Sequence, residues 1–197
     1  YIDLEGETNT VDGILFNKDG WAGDVIYLKN GTLISTGECS FSARGVIHLD
    51  EASLIFNGTS RFGHWNFTDG TVMDVAINDG SRLEINGSTY LARVAFTVNE
   101  GGTLCFGTNV KWENANASKE VPININGGVL DMPNGHKPSG TWSYHPHVVL
   151  TSGRWDLGSE VKYANNIKFY TELVGGVLRA TGDVKFTLHA DAWGRFN

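Results

Sequence analysis

Two cysteines and four prolines in 197 residues are too few for a disulfide-stapled scaffold or a proline-rich linker. Cys39 and Cys105 fall at different offsets in their local patterns, which leaves a bridge between them open but does not indicate one. No apolar run approaches the roughly 18 residues a membrane-spanning helix requires, so no membrane span is expected. Basic residues are also scarce: fifteen Lys and Arg against twenty-two Asp and Glu leave a formal charge of -7. Without a basic stripe to neutralise a phosphate backbone, nucleic acid is not an expected partner. Nucleophile-elbow, Walker-type, dinucleotide-binding and His-Glu-x-x-His motifs are missing, so no cofactor is expected. No composition break divides the chain, and residues 1–197 read as a single domain.

What the chain has in quantity is glycine, 25 residues, commonly beside Asn and Thr in turn-like positions. A unit recurs at about twenty-residue spacing: LKNGTLISTG at 28–37, VNEGGTLCFG at 98–107, INGGVLDMPNG at 125–135 and LVGGVLRATG at 173–182. Stepping forward by two from Gly13, Gly31, Ala52, Gly70, Gly102, Gly128, Gly153 and Gly176 reaches Leu15, Leu33, Leu54, Val72, Leu104, Leu130, Trp155 and Leu178. A large apolar residue at one register each time predicts a core column, because strand alternation sends that position to one face. A further unit around Gly80 carries one extra residue before Leu83 and suggests a bulge or a strand on another face. The expected fold is all-β: a right-handed parallel β-helix of about eight rungs, roughly 40 Å long. An antiparallel β-sandwich or jelly roll is the competing architecture. Helix is almost absent, the best stretch being 114–120.

If position +2 points inward, position +3 points outward, and that column reads Phe16, Ile34, Ile55, Met73, Cys105, Asp131, Asp156, Arg179. Its apolar half would need a cover. Its charged half would set the carboxylates of Asp131 and Asp156 about 5 Å apart on neighbouring rungs, with Arg179 next and Arg154 beside them. Such a pair resembles the acid/base and nucleophile of retaining glycosidases, or else a solvated charge ladder neutralised by its arginines. A Gly- and Pro-punctuated stretch at 133–147 brings His136, Trp142, Tyr144, His145 and His147 close to this region. Trp142 and Tyr144 suit stacking on sugar rings, or packing as a lid on the coil. His145 and His147 are two potential ligands without a third, so no metal site is expected. Asn30, Asn57, Asn66, Asn86 and Asn116 lie in Asn-x-Ser/Thr sequons that are also ordinary turn chemistry.

The units INGGVLDMPNG, VNEGGTLCFG and LVGGVLRATG resemble the Gly-Gly-x-Leu strand repeats of bacterial autotransporter passengers and, more broadly, the pectin-lyase-like β-helix superfamily. The resemblance implies an exported surface protein or a polysaccharide-active one. The Asn-Thr-Asp, Asp-Asp and Gly-His-Gly series of polygalacturonases is missing. The leading expectation is therefore a non-catalytic scaffold or adhesin-like segment, secreted or at the cell surface, flanked by further domains of a longer protein and in contact with a polysaccharide or host glycan. The alternative is a polysaccharide lyase or glycoside hydrolase, with Asp131, Asp156 and Arg179 catalytic and Trp142, Tyr144, Arg154 and His136 holding substrate. A carbohydrate-binding module using the same aromatic residues is the third.

Overall fold

The computed structural model describes residues 1–16, 24–41, 45–63, 72–107, 112–113, 121–133, 146–158, 161–162, 168–184, 186–187 and 193–196. Among these residues there is no helix, and all strand pairings are parallel. The antiparallel sandwich is thereby set aside in favour of a parallel β-solenoid. Parallel pairing follows from repetition: each coil lays its strands beside the same strands of the next, so equivalent positions meet and stack. The candidate helix at 114–120 lies outside the described residues.

A thirteen-stranded sheet supplies two arms of the coil. Four strands run through both arms without a break: Asp24–Ser35, Gly45–Phe56, Val121–Met132 and Pro146–Leu157. A five-stranded sheet of Ile14–Phe16, Cys39–Phe41, Ser60–Gly63, Thr89–Ala92 and Trp112–Glu113 forms the third side. This third side has five strands, so among the described residues about five turns of the coil carry all three sides, rather than the eight expected. Further along the chain, a separate two-stranded sheet pairs Val161–Lys162 with Phe186–Thr187.

The corner between the two arms explains the glycines. It needs a left-handed residue in coil after coil, with φ of 53° at Asn30, 50° at Glu51, 66° at Gly80, 100° at Gly127 and 87° at Gly176. An L side chain is strained there, and glycine is not. The corner after the second arm uses glycine for a different reason. A Cβ at Gly58 would run into the carbonyl oxygen of Gly37 in the neighbouring coil, so closeness rather than φ excludes a side chain.

The inward column of the second arm runs Asn9, Leu33, Leu54, Leu83, Leu104, Leu130, Trp155, Leu178 by direct register. Six members agree with the sequence reading, and two expected members are corrected. Leu15 belongs to the five-stranded sheet, where its neighbour Ile14 packs on the core and Leu15 itself points outward, 76% exposed. Val72 precedes the first-arm strand Met73–Ile77 and is 40% exposed. The turn at Gly13 leads into the five-stranded sheet and is not an arm-to-arm corner, Gly70 lies outside the described residues, and Gly80, read as a bulge or a strand on another face, sits at an arm-to-arm corner. Leu178 keeps its register on Trp155 but is 39% exposed.

Two further core columns line the first arm: Ile26, Ile47, Val75, Phe96, Ile123, Val148, and Leu28, Leu49, Ile77, Val98, Ile125, Leu150. Phe41 and Phe62 stack at 5.4 Å, with Phe56 edge-on to both, where the third side meets the second arm. Such aromatic contacts add about 0.5–1.5 kcal/mol each beyond area burial. Cys39 and Cys105 are both buried and free.

Candidate functional site

The outward column of the second arm runs Thr10, Ile34, Ile55, Glu84, Cys105, Asp131, Asp156, Arg179. Phe16 and Met73 are not part of it. Phe16 pairs with Phe41 in the five-stranded sheet, and Met73 is a buried core residue beside Val94. The expected four-residue apolar strip therefore reduces to Ile34 and Ile55, both half-buried.

The charged half assembles as the spacing predicts, with Asp131 beside Asp156 and Asp156 beside Arg179. Both oxygens of Asp156 are occupied. Arg179 Nε donates to Oδ1 at 2.8 Å and its Nη2 to Oδ2 at 2.6 Å, while Arg154 Nε also donates to Oδ2, at 2.9 Å. The Asp156 side chain is only 4% exposed because the two half-exposed arginines lie over it. Two or three charge-assisted bonds on one carboxylate make a rigid, locally compensated unit.

Asp131 lies 3.8 Å from Cys105 Sγ through Oδ2. Burial, reinforced by the negative charge of Asp131, pushes the Cys105 thiol up to about 12, so it remains a protonated thiol at neutral pH and not a nucleophile. Further along the column Glu84 accepts from Arg82 Nε and Asn86 Nδ2, both at 2.8 Å. Burial would raise its carboxyl, but the bonds from Asn86 and Arg82 outweigh it and hold Glu84 below the ordinary glutamate range.

Trp142, Tyr144, His136 and His145 lie outside the described residues, as do Trp65, Asn66 and Asn116. His147 Nε2 is 3.8 Å from Glu172 Oε1. No group of three or more metal-ligating side chains occurs among the described residues. Two of the sequon asparagines act as structural donors: Asn30 to Asp3 at 3.2 Å, and Asn86 to Asn57 at 2.9 Å as well as to Glu84. Arg93, buried at the corner between Thr89–Ala92 and Val94–Asn99, leaves Nε and Nη1 without a hydrogen-bond partner among the described residues, a costly arrangement for a guanidinium.

One outward surface escaped the sequence reading. On the first arm Tyr27 and His48 occupy adjacent coils with their rings stacked at 4.8 Å and 13°. Lys29 and Asp50 pair at 3.6 Å in the next outward column, and Asp74 stands beside Val46 on the far side. Alternation within the first arm carries the signal: Ile26 and Leu28 point inward, so Val25, Tyr27 and Lys29 point outward. Comparison with family models, with curated proteins and with solved structures finds no match to this chain.

Proposed function

We propose that this chain is a rigid, non-catalytic right-handed β-helical scaffold of an exported or surface protein, similar in kind to autotransporter passengers and the pectin-lyase-like superfamily, that meets a glycan along its side. The observation that carries the non-catalytic reading is Asp156. A retaining glycosidase needs one carboxylate oxygen free to attack and a second carboxyl free to deliver a proton. The Asp156 oxygens are instead committed to Arg154 of the same strand and Arg179 of the next, which makes this part of the charged column a structural tie between two adjacent coils. In this reading Asp131, Asp156 and Arg179 are structural, and Trp142 and Tyr144 offer rings to a sugar. Flanking domains would hold the coil at the cell surface.

The test is to incubate the chain with neutral and acidic polysaccharides and to measure both reducing-end release and binding. The expected result is binding without cleavage, weakened by about 1 to 2 kcal/mol in Trp142→Ala through the lost ring contact. Asp156→Asn should lower stability without changing any turnover. Cleavage that disappears in Asp131→Asn or Asp156→Asn would overturn the scaffold reading in favour of a polysaccharide-active enzyme.

A further inference from the structure

The first arm carries an arrangement that folding does not require. Tyr27 is 41% exposed, and Val25 beside it is more exposed still. Phe41, Phe56, Phe62, Phe96 and Phe106, together with Trp155, are by contrast buried in the core. The Tyr27 ring covers one face of the His48 imidazole. The next residue in that column is Ala76, followed by Thr97, and a methyl group is too small to cover the other face. A step is left beside His48, one coil wide, about 4.8 Å.

Asp74 borders this step. It lies one coil along from Val46 and two residues before Ala76, which places its Cβ on the diagonal from His48 at about 7–8 Å. Its neighbour on the other side is Ala95, again small. Asp74 has no hydrogen-bond or ion-pair partner among the described residues, and partial burial raises its carboxyl above the ordinary aspartate range. On the opposite flank Lys29 neutralises Asp50 at 3.6 Å. An uncovered aromatic face and an adjacent carboxylate with unused acceptor capacity suit a pyranose ring with vicinal hydroxyls.

We infer that Tyr27, His48 and Asp74 form a second glycan-contacting platform, selective for neutral over acidic sugars. The selectivity follows from charge. Asp74 would accept from two sugar hydroxyls but repel a uronate or sulfate, and the chain as a whole carries -7. The inference rests on the glycan-contacting part of the proposed function but uses different residues on a different arm, so the two can fail separately.

The experiment titrates the full chain with cellohexaose as the neutral probe and hexagalacturonate as the acidic one, and circular dichroism verifies that each variant is folded. Tyr27→Ala and His48→Ala should each weaken cellohexaose binding about five- to tenfold, while Tyr27→Phe, which keeps the ring, should bind like the parent. Asp74→Lys should weaken cellohexaose and strengthen hexagalacturonate. If cellohexaose binding is unchanged in Tyr27→Ala and Asp74→Lys but lost in Trp142→Ala, the platform is overturned and the glycan contact of the proposed function survives. If neither hexasaccharide binds the parent chain, both are overturned.

Discussion

Glu51 sits at the arm-to-arm corner with φ of 50°, where Gly80, Gly101, Gly127, Gly153 and Gly176 occupy the same place in later coils. Its exposed side chain makes no hydrogen bond or ion pair among the described residues, and an added Cβ on Gly80 opposite it would meet Glu51 Cα only at 3.6 Å, an ordinary contact. The left-handed conformation costs an L residue about 1–2 kcal/mol, and glycine recovers that at the expense of a more flexible unfolded chain. Glu51→Gly should therefore raise the unfolding free energy by about 0.5–1 kcal/mol, seen as a shifted urea midpoint with unchanged slope. The reverse change at Gly127 should destabilise, because there a Cβ would also press within 3.1 Å of Glu100. Glycine in the repeat is thus required by φ at the arm-to-arm corner, with close contact added at Gly127, and by close contact alone at Gly58, a distinction that lies in backbone geometry and not in the residue letter.

At the scale of the strand, register decides what a residue is worth. Leu104 and Leu178 stand in the same column and follow the same Gly-Gly-x-Leu pattern. Leu104 has Leu83 on one side and Leu130 on the other and is fully buried, whereas Leu178 has Trp155 on one side and is 39% exposed. Leu104→Ala should cost about 2–5 kcal/mol through loss of burial and the cavity left behind. Leu178→Ala should cost less than about 1 kcal/mol, since little of the removed surface was dry. Chemical denaturation of the two variants side by side measures the difference, and equal losses would mean that the register is wrong.

Across the whole molecule, the solenoid gains stability coil by coil, each adding its own hydrogen bonds and a share of continuous core. The strand Val121–Met132 is paired on both edges and carries Ile123, Ile125 and Leu130 fully buried. Among the described residues the strand Val177–Ala180 pairs only with Pro146–Leu157, and it is exposed throughout. Amide exchange should therefore be slowest at Ile123 and Ile125 and fastest along Val177–Ala180, with a graded rather than uniform protection profile. Uniform protection would indicate a single cooperative unit instead. The amino-acid sequence alone favoured a parallel β-solenoid over an antiparallel sandwich, placed Leu33, Leu54, Leu104, Leu130, Trp155 and Leu178 in one register, and made Asp131, Asp156 and Arg179 neighbours, because a period-2 alternation tied to a recurrent glycine is local and repeats. Only the tertiary structure decided that Leu15 and Val72 leave that register and Leu83 enters it, that Arg154 and Arg179 close over Asp156, and that Tyr27 and His48 stack in the open. Those outcomes depend on which turn forms which corner and on how many residues separate one coil from the next, and a strand's neighbours come from other coils.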